Sequence, residues 1–163
     1  MSRYAALLAA LVLSACGFQL RGEAGTGLKS LYVSAAASSQ VAVEVRRQLS
    51  GGPTKVAATA KDGEAHLRIL SESTDKTIQA LTGAGRVFDY RLRLRVGFQV
   101  TDAAEKPILE PAEIELWRII SYSESAPLAK EAEEQFLFAD MRTEAATRIL
   151  RRIAVVRASA SPR

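Results

Sequence analysis

Histidine and cysteine each occur once in these 163 residues, as His66 and Cys16, and the two scarcities exclude much chemistry. A single histidine cannot build a histidine metal cluster, and no nucleophile stands at a recognisable triad spacing from it. The sequence therefore predicts no enzyme, no metal and no cofactor. Long apolar runs are also missing. The run at residues 5–13 falls far short of the roughly 20 residues that span a bilayer. Charge of one sign is not in excess either, since 22 basic and 18 acidic residues leave +4, too little alone to indicate nucleic acid. Glycine pairs at Gly83-Ala84-Gly85, but a strand pattern follows it. It reads as a turn and not as the phosphate cradle that opens a helix.

The position of the one cysteine is informative. Arg3 gives a positive start, residues 5–13 an apolar stretch, and Ser14-Ala15 the small residues a signal peptidase requires, immediately before Cys16. The segment Leu13-Ser14-Ala15-Cys16 resembles the lipobox of bacterial lipoproteins. That resemblance implies cleavage after Ala15 and a covalent lipid on Cys16, an S-diacylglycerol with an N-acyl chain. Each buried CH₂ contributes about 0.8 kcal/mol, so three acyl chains would anchor the protein almost permanently. Gly17 stands where aspartate would retain an enteric-type lipoprotein in the inner membrane, which implies delivery to the outer membrane.

Removing 15 of the 163 residues leaves 148, the usual size of one domain, with a net charge of +3 because Arg3 departs and no acid does. The expected organisation is a signal at 1–15, a lipidated N-terminus and tether at 16–28, one domain at 29–156 and a flexible tail at 157–163. Residues 86–101 alternate throughout, with Phe88, Tyr90, Leu92, Leu94, Val96, Phe98 and Val100 on one side and Asp89, Arg91, Arg93, Arg95 and Gln99 on the other. Such a period of two predicts a long, half-buried strand. Shorter strands are predicted at 64–71, 113–122, 29–35 and 55–60. The two prolines in 102–111 suggest a wide hairpin connection.

A first helix is expected at 38–49, with a serine cap, Val41, Val45 and Leu49 on one face, and Gly51-Gly52-Pro53 as its stop. A second should run from Leu128 past Ile153, burying Leu128, Ala132, Phe138, Ala139, Ala146, Ile149, Leu150 and Ile153. Gln135 and Arg142 fall on the same stripe, so they either snorkel or meet a polar partner. The element order gives an α+β two-layer sandwich: one mostly antiparallel sheet of four to five strands with two helices on one face. Too few strands are present to close a transmembrane barrel.

The uncovered sheet face would carry His66, Arg68, Arg91, Arg93 and Arg95 among Asp89, Glu113 and Glu115. Cross-strand charge pairing on a solvated face is one reading. The other is a surface for anionic groups, because guanidinium forks match phosphate oxygens. Arg86, beside the glycine turn, would have the freest access. The acidic run Glu131, Glu133 and Glu134 reads as support for a helix N-terminus.

The mature opening Cys16-Gly17-Phe18-Gln19-Leu20-Arg21-Gly22 resembles that of the lipopolysaccharide-assembly lipoprotein family LptE, also called RlpB. The resemblance continues at Asp89-Tyr90-Arg91-Leu92, Trp117-Arg118, Leu128-Ala129-Lys130-Glu131, and a closing helix with Met141, Ala145-Ala146 and Leu150-Arg151-Arg152. It implies an outer-membrane lipoprotein on the periplasmic side, lodged 1:1 as a plug inside the LptD β-barrel. Such a protein helps the barrel assemble and takes part in passing lipopolysaccharide to the cell surface. It also implies a lipopolysaccharide contact at Lys130, with Arg86, Arg91, Arg93 and Arg95 as further candidates. Gly83 stands where a basic residue of the family is expected, which makes Arg86 the nearest substitute. A lipid-anchored periplasmic binding or scaffold module for another anionic ligand is the alternative.

Overall fold

The computed structural model describes residues 25–123 and 125–160. Cys16, the signal and the lipidated opening lie outside the described residues. In chain order the elements are β1 (Ser30–Ser34), α1 (Gln40–Ser50), β2 (Lys55–Val56), a 3₁₀ turn (Ala60–Asp62), β3 (Ala65–Leu81), β4 (Val87–Asp102), β5 (Pro107–Ser121) and α2 (Pro127–Ala160). They form one mixed sheet in the order β2-β1-β3-β4-β5. β1 is parallel to β2 and β3, and the three long strands are antiparallel. Both helices contribute to the core on one face, which is the expected α+β sandwich.

Alternation places β4 at the centre, where Leu92, Leu94, Val96, Phe98 and Val100 are all buried. β1 adds Leu31 and Val33, β3 adds Ala65, Leu67 and Ile69, and β5 adds Ile114, Leu116 and Ile120. Onto this surface α1 packs Val41, Ala42, Val45 and Leu49, while α2 packs Phe138, Met141, Ala145, Ala146, Ile149 and Ile153. Ser39 caps α1 by accepting from the Ala42 N–H at 3.1 Å.

Several expected boundaries move, each for a visible reason. β3 continues ten residues past the predicted end at 71, because an irregularity between Ile69 and Ser71 leaves Leu70 as an extra, exposed residue. A bulge of this kind reverses the faces. Beyond it Glu72, Thr74 and Lys76 stand opposite Val96, Leu94 and Leu92 on the helix side, so polar residues occupy positions that pattern reading reserves for apolar ones. Gly97 makes this possible, since a Cβ there would lie 2.6 Å from the Ser71 hydroxyl oxygen.

β5 starts at Pro107, and the wide connection is in fact a tight turn. The Asp102 carboxylate accepts from the Ala104 and Lys106 N–H groups at 2.8 and 2.9 Å, with Glu105 at φ 62°. The strand expected at 55–60 pairs only over Lys55–Val56. Its chain then turns so that Gly63 can pass Tyr32, where a Cβ would lie 3.0 Å from that residue's own.

The boundaries at both ends also shift. Thr26 and Leu28, assigned to the tether, are buried, and the Thr26 hydroxyl meets that of Thr54 at 2.7 Å. α2 runs to Ala160, so Arg157, assigned to the tail, is helical and donates to Glu64 at 2.5 Å. Phe88 is exposed because it lies beyond the buried part of the sheet. In α2, Leu128 is 79% exposed, and Ala132 and Ala139 are also exposed, which removes them from the expected core. Gln135 is exposed, whereas Arg142 reaches Glu72 at 3.9 Å and lies 6.0 Å from the Phe138 ring centroid.

Candidate functional site

Beyond the bulge, β3 offers charged side chains to α2 beside the apolar core residues of β4 and β5, and at the end of that core a hollow of 360 Å³ opens between β3, β4, β5 and the first turns of α2. Two lysines line it. Lys130 donates to the Ser121 hydroxyl at 3.1 Å and to the Glu133 carboxylate at 2.9 Å. Lys76, brought to the helix side by the reversal of β3, donates to Glu134 at 2.5 Å and lies 4.4 Å from the Tyr90 ring centroid. Tyr90 in turn meets Tyr122 edge to face, centroids 5.9 Å apart at 86°.

Each ammonium is thus matched by a carboxylate one or two turns into α2. Glu133 and Glu134, expected only to support the helix start, are counterions. An incoming anion would have to displace them, and the hydroxyl of Ser121 and the edge-to-face pair of tyrosines would remain beside it. Chemically the arrangement supplies ammonium and hydroxyl donors that can pair with an oxyanion other than the present carboxylates, with aromatic rings beside them.

The other expected cations lie elsewhere. Arg86 sits at the tip of the β3–β4 hairpin, where Gly85 adopts φ 75° and the Thr82 N–H reaches the Arg86 carbonyl at 2.7 Å. It does not line the hollow. Arg91, Arg93 and Arg95 occupy successive rows of the open sheet face, opposite Thr77, Asp75 and Ser73. Asp75 holds two of them, Arg93 through Nε at 3.1 Å and Arg95 at 3.7 Å. This is the cross-strand pairing that one reading of the face anticipates. Arg91 differs, its guanidinium lying 5.6 Å from the centroid of Trp117, a ring 55% exposed.

His66 is half-buried between Tyr32, with centroids 4.8 Å apart, and the Ser34 hydroxyl at 2.7 Å. Burial pushes its pKa below the ordinary value and Arg68 adds to the effect, so the ring is neutral at pH 7. Among the described residues no group of histidine, cysteine and acidic side chains has the arrangement of a metal site. No helix among them is long and apolar enough to cross a membrane.

Lys76, Tyr90, Tyr122 and Glu134 were not legible as site residues. Lys76 follows the bulge, where alternation gives no guide, and its partner Glu134 is 58 positions away.

Comparison with known proteins shows the family of the chain. Residues 28–153 match the model of the family described as LptE, lipopolysaccharide-assembly. The LPS-assembly lipoprotein LptE of Pectobacterium atrosepticum is 29% identical over 157 residues, covering 93% of this chain and 84% of that one. The solution structure of lipoprotein B from Nitrosomonas europaea is similar with a TM-score of 0.74 and 31% identity, covering 85% of this chain and 90% of its own. The crystal structure of rare lipoprotein B from Shewanella oneidensis gives 0.71 and 27%, covering 80% and 98%. The chain belongs to the LptE family of lipopolysaccharide-assembly lipoproteins.

Proposed function

We propose that this protein is anchored to the outer membrane through lipid on Cys16 and sits as a plug in the lumen of the LptD β-barrel. There it helps the barrel assemble and takes part in handing lipopolysaccharide to the cell surface. Within that role the hollow beside Lys130 receives an anionic group of the lipopolysaccharide, a lipid A phosphate or an acidic inner sugar. Lys76 supplies the second cation in place of the basic residue that Gly83 lacks, and Arg86 and Arg91 offer further charge toward the same end of the sheet. No cofactor takes part.

The observation that carries this reading is the hollow itself. Lys130, the residue of the Leu-Ala-Lys motif, shares it with a second lysine from β3 and two tyrosines, in a chain that matches the family over residues 28–153. A polar exterior suits the plug, because the lumen of a wide barrel is polar and water-filled. Purification of the tagged protein from outer membranes tests it: a stoichiometric, heat-modifiable barrel partner is expected. Recovery with a small anionic ligand and no barrel would instead support the anchored binding module. Mass spectrometry of the mature N-terminus checks the anchor, and an unmodified Cys16 would remove it.

A further inference from the structure

A second hollow, outside that site, is a trough of 430 Å³ along the edge of β5. One wall is the edge of the strand at Glu113, Ile114 and Glu115, and the other is a stripe of α2 formed by Arg148, Arg151, Arg152 and Val155. The helix runs antiparallel to the strand here. Arg118 pairs with Asp140 and Glu144, and four residues earlier Ile114 faces the stripe at 148–155. Val155 is 59% exposed although it is a large apolar side chain.

We propose that this edge receives an extended, acidic polypeptide segment as a sixth strand. Three observations converge on that occupant. As the outermost strand of the sheet, β5 has no neighbouring strand on its outer side among the described residues, a standing template for strand addition. Pro107 and Pro111 lack N–H donors and spoil the template near the start of β5, so the usable edge begins at Ala112, opposite the trough.

The charge of the helical stripe supplies the second observation. Arg148 is tied to Glu144 at 2.6 Å, whereas Arg151 and Arg152 make no ion pair among the described residues, although Glu113 and Glu115 line the opposite wall. Third, the spacings agree. Side chains two apart on a strand lie about 6.6 Å from each other, and residues four apart on a helix about 6 Å. Acids at alternate positions of the new strand would therefore meet Arg148 and Arg152 in turn, with an apolar residue beyond them over Val155. On the opposite face the new strand would lie beside Glu113 and Glu115, which select neutral or basic residues there.

Other occupants fit less well. Residues 1–24 contain a single acid, Glu23, and residues 161–163 none, so the chain's own ends lack the required charge. A second copy pairing through its own β5 would set Glu113 and Glu115 against their equivalents. A lipid has no repeating donors and acceptors to match a strand edge.

The test uses the full-length protein and two synthetic ten-residue peptides. One alternates Asp or Val with Lys or Thr, and the other has the same composition in scrambled order. The patterned peptide should bind, slow amide exchange along β5, and lose affinity about tenfold when Arg151→Glu and Arg152→Glu are combined. Both arginines are exposed, so the fold is expected to persist, and circular dichroism checks it. Equal binding of both peptides, protection elsewhere than β5, indifference to the double substitution, or dimerisation in place of peptide uptake would each overturn the proposal. None of these outcomes bears on lipopolysaccharide binding at Lys130, which is measured separately.

Discussion

Glu72 accepts a hydrogen bond from the Ser39 hydroxyl at 2.6 Å, so a strand side chain holds the residue that caps a helix. The same carboxylate oxygen takes the Val41 N–H at 3.1 Å, and its other oxygen faces Arg142. One side chain thereby joins β3, α1 and α2. Ser39→Ala should destabilise the protein by about 1 kcal/mol, the usual cost of losing a cap. Glu72→Ala should cost more, since it also leaves a helix N–H and a guanidinium without a partner. Urea melts with unchanged slope check the order, and equal costs would mean that Ser39 acts alone.

The buried stripe of α2 should dominate stability. Ile149 is fully buried, and Ile149→Ala is expected to cost about 2–5 kcal/mol as a large-to-small core change. Arg151→Ala, on the exposed side, should stay within about 0.5 kcal/mol. Denaturant titration of the two variants reads the difference directly.

Acid should weaken the fold through two depressed carboxylates. The Arg47 guanidinium beside Glu44 draws its pKa from the ordinary 4.5 down to about 2, partly opposed by burial. Hydrogen bonding from Arg118 holds Glu144 below the ordinary value, again against burial, with Arg148 adding to the effect. Because both folded-state values lie below those of the unfolded chain, the stabilisation is present above the ordinary carboxylate value of 4.5 and is lost as pH falls through the folded values, for Glu44 about 2. Melting temperature against pH should decline over that window. Glu144→Gln should flatten part of the decline while leaving the Glu44 portion.

At the hollow, Lys130→Asp should reduce lipopolysaccharide binding by about tenfold, as expected for the loss of one charge-assisted hydrogen bond. Lys76→Asp should do the same if the second lysine acts as proposed. Glu133→Gln should have the opposite sign, raising affinity, because the carboxylate that now occupies Lys130 no longer competes. All three effects should shrink in high salt, where charges more than about 3 Å apart are screened at 1 M. Isothermal titration of the parent and the variants decides. An unchanged Glu133→Gln would show that the pair opens without cost.

The legible parts of this fold are those in which one residue period persists. β4 buries alternate residues without interruption from Leu92 to Val100, and α1 has its serine, its apolar face and its glycine stop in order. Legibility failed where a local rule was broken by something distant. Arg118 interrupts the apolar face of β5 because Asp140 and Glu144 wait beneath it on α2, 22 and 26 positions later. Leu70 breaks the alternation of β3, and the residues after it, up to the next irregularity at Ile78, face the unexpected side. Lys130 was legible only through its motif, whereas Lys76 has no motif and becomes visible once β3 and α2 are placed together. On the open face, the arginine stripe was plain in sequence, but Asp75 was not foreseeable as the partner of two of its members.

That extra residue in β3 also divides the molecule mechanically. On one side of Leu70 the sheet and helices are cemented by close-packed hydrocarbon. On the other, the first turns of α2 are moored by Lys76 to Glu134 and by Lys130 to Ser121, and their large apolar side chains Leu128 and Phe136 face outward, the latter 71% exposed. Exposed ion pairs hold by only tenths of a kcal/mol each, while the packed half costs several times more to open. Residues 127–136 are therefore expected to open from the sheet more readily than the rest of the helix, while Leu137 and Phe138 stay seated. Amide exchange should record this as two rates along one unbroken helix, fast before Leu137 and slow after it, and a bound anion would slow the fast portion by tightening its moorings.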